Sequence, residues 1–160
     1  MNWLEIWGLR MQQHPTALPR LSRLLEEERP KRVIEIGTGA GGLAVFFGIH
    51  AFDGEYDFHT IDINEPKHGR LLRSMGVLVH VGNFWEPEIL QFFRELISRE
   101  GKTLLFCDGG NKKQEVASLC GSLKPEDLIL AHDYAVKTDC DFSLWPHREI
   151  TDRHLAGLPI

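Results

Sequence analysis

Five short apolar runs, each separated from the next by a stretch that reads as a helix, constrain this chain more than any other feature. The runs are VIEI at 33–36, YDFHTIDI at 56–63, VLVHV at 77–81, TLLFC at 103–107 and DLILA at 127–131. Before and between them, 15–28, 43–51, 66–75, 87–99 and 112–123 read as helices. In 87–99, for example, Ile89, Leu90, Phe93, Leu96 and Ile97 fall on one helical stripe. Pro30 ends the first helix before the first strand. Short apolar strands alternating with helices require a parallel sheet covered on both faces. Right-handed crossovers then favour a doubly wound, Rossmann-like α/β sheet of about five strands. No repeat or long linker interrupts the 160 residues, so residues 1–160 are expected to form one domain.

In such sheets, ligands sit outside the carboxyl ends of the strands, and the residues just past each strand carry the function. After the first strand comes IGTGAGG, in which Gly37, Gly39 and Gly42 satisfy GxGxxG ahead of a helix. Small residues permit a tight turn, and a helix N-terminus offers unpaired N–H groups. The motif serves a dinucleotide or another adenosine ligand equally well. Asp62 follows the second strand, placed to accept hydrogen bonds from ribose hydroxyls or to cap a helix. Glu35 discriminates better. A carboxylate inside an apolar strand is costly unless paired. A ligand carrying an ammonium and a sulfonium gives it a purpose; a structural hydrogen bond to the neighbouring loop is the alternative.

The segment IEIGTGAGGLAVFF resembles the first motif of class I S-adenosylmethionine-dependent methyltransferases. TIDIN, VGNFWEP, LLFCDGG and LKPEDLILAHDY continue the likeness in order, and HPTALPRLSRLLEEERPKRVIEIGTGAGG extends it toward the N-terminus. Within that superfamily the chain most resembles the cephalosporin hydroxylase-like and macrolide O-methyltransferase group, over roughly residues 12 to 152. The resemblance implies Glu35, Gly37, Thr38, Gly39 and Asp62 as cofactor contacts, with Gly82, Asn83 and Phe84 near the adenine. It implies S-adenosylmethionine as cofactor and methylation of an oxygen on a small molecule or sugar. In related metal-dependent enzymes an acid after the fourth strand and a pair after the fifth hold a divalent cation such as Mg2+. Here those positions are Asp108 and the pair His132-Asp133. The expectation is therefore that Asp108, His132 and Asp133 form the catalytic cluster, sharing a divalent cation or using His132 as general base. Two acids at adjacent strand ends repel unless something positive lies between them. Asn111 could supply a further oxygen. Lys112 and Lys113 read as a solvated helix start.

Two other functions remain open on the sequence: a nicotinamide-dependent oxidoreductase, and a cofactor-binding protein without catalysis. The first leaves Glu35 and AHDY unexplained. Such folds commonly add a strand pair after the fifth strand, yet 134–160 shows only a helix near 151–155. An edge left bare would need a cover, so a homo-oligomer, a dimer in the simplest case, is expected. Trp3, Trp7 and Trp145 near the two ends suit that role, whereas Trp3, Trp7 and His14 are also candidate acceptor contacts. A net charge of −5 argues against nucleic acid held by a broad basic face. No run approaches the roughly 20 apolar residues of a membrane span. The N-terminus lacks the pattern of a signal peptide, and three cysteines without CxxC spacing suit a reducing cytoplasm.

Overall fold

The computed structural model describes residues 4–52, 56–135 and 150–159. Trp3, Cys140 and Trp145 lie outside them. All five expected strands form one parallel sheet: β3 (Arg32–Ile36), β4 (Asp57–Asp62), β5 (Leu78–Val81), β6 (Thr103–Cys107) and β7 (Leu128–Ala131), in the order β5-β4-β3-β6-β7. The order reverses beside β3, as in a doubly wound sheet, and places the crevice there.

The helices are α1 (Ala17–Glu28), α2 (Gly42–Phe52), α3 (Gly69–Ser74), α4 (Pro87–Ser98), α5 (Lys112–Leu119) and α6 (Asp152–Leu155). Pro87 opens α4 at a position where its missing N–H costs nothing. Asn111 caps α5 by accepting from the Gln114 N–H, so its amide oxygen serves the helix. Helix α3 starts later than the run from 66 suggests. The stretch after Leu119 tightens into a 3-10 turn, Cys120–Ser122.

Alternate residues of each strand face opposite sides, which yields two cores. On one face Val33, Phe58, Leu104 and Phe106 pack with Leu21 and Leu25 of α1, Phe47 of α2 and Leu72 of α3. On the other, Ile34, Ile36, Ile61, Leu105 and Cys107 pack with Phe93, Leu96 and Ile97 of α4 and Val116 and Leu119 of α5. Strand β3 is buried along its whole length, as expected of a central parallel strand.

Two elements depart from the sequence reading. The N-terminus forms a hairpin, β1 (Leu4–Ile6) with β2 (Leu9–Met11), turned by Trp7 and Gly8, both with positive φ (52° and 77°). Two left-handed residues in a two-residue turn match the twist of a hairpin. Trp7 stands exposed at its tip. The second is a pairing after β7: β8 (Tyr134–Ala135) runs parallel to β9 (Ile150–Thr151). The sequence showed no strand pair there, because two residues carry no readable alternation.

Candidate functional site

Strand registry determines which residues meet. The ladder runs one step beyond the strands: Gly37 N–H donates to Ile61 O, Asp108 N–H to Ile36 O, His132 N–H to Cys107 O and Gly82 N–H to Asp62 O. Gly37, Asp62, Gly82, Asp108 and His132 therefore line up along the carboxyl edge. The glycine loop is shaped by its neighbours. A Cβ on Gly37 would lie 2.6 Å from the Asp108 carbonyl oxygen, and φ there is +95°. A Cβ on Gly42 would lie 2.5 Å from the Arg10 carbonyl oxygen. Gly42 thus makes room for the N-terminal hairpin, whereas the motif alone suggested closeness to a ligand.

Glu35 is 1% exposed and accepts a hydrogen bond from Thr60 Oγ1 at 2.6 Å. Thr60 in turn lies 2.7 Å from Thr38 Oγ1. Burial pushes the Glu35 carboxyl well above the usual carboxylate range; the Thr60 bond opposes this, and the charges of Asp108 and Asp62 add to it. The carboxyl lines a small cavity of about 50 Å3 with Gly37, Thr38, Gly39 and Asp108. Asp62 Oδ2 accepts from the Gly39 N–H at 2.9 Å, which ties the second strand end to the glycine loop.

Beside this lies a crevice of about 250 Å3 whose lining includes Gly37, Asp62, Ile63, Gly82, Asn83 and Phe84. Phe84 is buried, its ring 5.8 Å from that of Phe93 and 5.1 Å from that of Trp85. Asn83 Oδ1 accepts from the Trp85 N–H and shapes the turn. Ile63 is 64% exposed at the rim; sequence reasoning passed over it as the tail of a strand. A carboxylate at the strand end, apolar walls and small residues fit an adenosine-bearing ligand.

Asp108, His132 and Asp133 converge as expected. His132 Nδ1 is 3.1 Å from Asp108 Oδ1 and 3.4 Å from Asp133 Oδ1. Burial pulls the imidazole pKa down, but the hydrogen bond to Asp108 and the charges of both acids outweigh it, and the pKa ends raised. Two further residues enter the cluster. Gln13 Nε2 donates to Asp108 Oδ2 at 2.6 Å, across 95 positions of sequence. Lys112 is 6% exposed, with Nζ 3.8 Å from Asp108 Oδ1, 3.5 Å from Asp133 Oδ2 and donating to Gly109 O at 3.0 Å. This corrects the reading of Lys112 as a solvated helix start. The acids just past β6 and β7 attract it inward, and Lys112 is the first residue of α5, four positions after Asp108.

Glu115 holds the loop between: its carboxylate accepts from the Gly109 and Asn111 N–H groups. Its own burial raises its pKa, against those two hydrogen bonds. Glu115 and Gln13 lacked a sequence signal, since each depends on a loop geometry that only the fold supplies. Among the described residues, no group of three or more His, Cys, Asp and Glu side chains is arranged to hold a metal ion. With an ammonium between the acids and an imidazole on both, these side chains as placed do not fit a divalent cation, which takes oxygen ligands.

A larger cavity, of about 670 Å3, opens on the far side of the cluster along β7. Gln13, His14, Thr16, His132, Asp133 and Tyr134 supply much of its polar lining, and Ile129, Leu130 and Leu155 contribute to its apolar walls. His14 is exposed, with Nδ1 2.8 Å from Thr16 Oγ1. The cluster borders two spaces: Gln13 and Asp108 line the small cavity beside Glu35, and Gln13, His132 and Asp133 line the larger one.

The model of the family described as rhamnosyl O-methyltransferase/CmcI matches residues 1–157. Among solved structures, a CmcI structure described with SAH is 19% identical, with a TM-score of 0.62, covering 81% of this chain and 66% of that one. A CmcI apo structure is 19% identical and one described as Mg-SAM is 21% identical, each with a TM-score of 0.58, covering 80% of this chain and 56% of the other. The chain thus spans about 56 to 66% of the length of these structures, which share its fold. No curated protein matches the sequence.

Proposed function

This chain belongs to the rhamnosyl O-methyltransferase/CmcI family, and we propose that it is an S-adenosylmethionine-dependent methyltransferase acting on a hydroxyl of a small molecule or sugar. The observation that carries the reading is that the His132 cluster borders both the small cavity beside Glu35 and the larger one along β7. In this reading Asp62 accepts hydrogen bonds from the ribose hydroxyls. Ile63 and Phe84 wall the adenine, with Gly82 and Asn83 at the turn. Glu35, Thr38 and the loop Gly37–Gly39 hold the amino-acid end. When bound, S-adenosylmethionine supplies an electrophilic methyl group on its sulfonium and accepts the electron pair released on transfer.

The protein's own work is alignment and proton removal. With Nδ1 engaged by Asp108 and Asp133, Nε2 of His132 is the atom that takes the acceptor's hydroxyl proton. The two carboxylates fix the tautomer and stabilise the imidazolium that forms. Gln13 holds the second oxygen of Asp108 and so fixes its plane. The acids raise the His132 pKa, so the growth of the neutral base with pH, and of transfer with it, is displaced to higher pH than for an ordinary imidazole.

Calorimetric titration with S-adenosylmethionine, S-adenosylhomocysteine and NAD tests the cofactor, and transfer of a labelled methyl group to a panel of sugars and phenols tests the reaction. Binding of the first two with no response to NAD is expected. Tight NAD binding would point to an oxidoreductase instead. Cofactor binding without transfer to any acceptor would favour a non-catalytic binder. We also propose a homo-oligomer, supported by half-buried β7 at the sheet edge; light scattering showing only monomer at high micromolar concentration would count against it.

A further inference from the structure

Lys112 is the residue whose placement the reaction alone does not require. Lysine is rarely buried without a partner to neutralise it. Here its ammonium reaches one oxygen of Asp108 and one of Asp133 and is anchored by the Gly109 carbonyl. The anchoring is local. Asn111 caps α5, Lys112 is its first residue, and Glu115 one turn on ties down the same loop. The side chain is thus directed under the loop by the helix start itself.

We propose that Lys112 is the resident counter-cation of the strand-end acids, so that this chain's methyl transfer requires no divalent metal. The inference rests on the methyltransferase reading for its meaning, although its first test does not. Asp108 and Asp133 bring two negative charges; Lys112 brings one positive charge and His132 a second when protonated. Among these four side chains the charges come close to balance, and the Glu115 carboxyl beside them has its pKa raised by burial. A divalent cation entering it would meet a positive charge already seated at 3.5 to 3.8 Å from both acids and would lose an oxygen ligand where His132 stands. Lys112 acts through the acids, holding their orientation toward His132, and is a positioning residue.

The whole chain, stripped with a chelator, is titrated with Mn2+ by electron paramagnetic resonance and with Mg2+ by calorimetry, with and without S-adenosylmethionine. No stoichiometric binding up to millimolar metal is expected. Lys112→Gln, confirmed folded by circular dichroism, opens a seat between two acids and is expected to bind Mn2+ at least tenfold more tightly, which a merely structural lysine would not produce. Methyl transfer by the unaltered chain is expected to survive chelation. Stoichiometric micromolar Mn2+ binding by the unaltered chain overturns the proposal, as does loss of transfer on chelation with recovery on Mg2+. A folded Lys112→Gln that gains no Mn2+ overturns the part played by Lys112. Absence of S-adenosylmethionine binding would defeat the methyltransferase reading, while the Mn2+ titrations would still decide what Lys112 does.

Discussion

Replacing Glu35 with glutamine should make the protein more stable relative to the native chain, by an amount that grows with pH. The side chain is 1% exposed, so its ionised form loses nearly all hydration. Among the described residues, Thr60 is its one side-chain donor. Folding therefore raises the carboxyl pKa well above its unfolded value near 4.3. A raised carboxyl means the folded state holds more protons than the unfolded state in that window. Its contribution is fully present below the unfolded pKa and is lost as pH rises toward the folded one. The loss is about 1.4 kcal/mol per pH unit while only the unfolded state ionises. Between pH 5 and 7 the gap between variant and native chain should then widen by up to about 3 kcal/mol. Glutamine does not ionise and keeps a carbonyl oxygen for Thr60 Oγ1, so the packing comparison is fair. Urea unfolding of both proteins at half-unit pH steps measures the gap, and other titrating groups cancel between them. A gap of the same size at pH 5 and pH 7 would show that Glu35 ionises normally, and the burial argument would be wrong.

Three further expectations follow from other residues. Asp62→Ala should weaken S-adenosylmethionine binding by about 1.5–3 kcal/mol, the scale of charge-assisted hydrogen bonds; unchanged calorimetric affinity would remove Asp62 from the site. His59, buried and stacked on His80 with Nδ1 3.1 Å from its Nε2, has a pKa lowered to about 4, first by burial and then by its neighbour. The folded state then binds fewer protons between about 4 and 6.5, so stability falls as pH drops through that range, and His59→Gln should flatten the acid side of the urea profile; an unchanged slope would contradict it. Gly42→Ala should destabilise by about 1–3 kcal/mol, because the new methyl meets the Arg10 carbonyl at 2.5 Å, and thermal unfolding would reveal a neutral outcome.

The strands were readable because each ends in a turn or helix signal and each carries a branched apolar run. With their order went the site edge: once β3, β4, β6 and β7 are parallel neighbours, Glu35, Asp62, Asp108, His132 and Asp133 must gather at one end. What escaped has a physical reason in each case. The hairpin strands Leu4–Ile6 and Leu9–Met11 span too few residues for alternation to stand out. Lys112 reads as exposed because lysine nearly always is, and only the pair of acids on other strands overrides that. Gln13 carries no charge and no motif, and its partner lies 95 residues away.

The central strand also has consequences for how the chain assembles during synthesis. Strand β3 pairs on one side with β4, soon after it in sequence, and on the other with β6, where Arg32 meets Thr103 across 71 residues. Parallel pairing over such a separation closes a long loop before any contact rewards it, so it forms slowly. A ribosome must deliver the chain past residue 107 before β3 finds its second neighbour, and until then one long edge of a strand that is buried along its whole length in the finished fold stays open. The emerging half-sheet is a template for chaperones or for wrong partners during that interval. That join seats Gly37 against Asp108, and the carboxyl-edge cluster is complete only once β7 pairs with β6 and brings in His132 and Asp133.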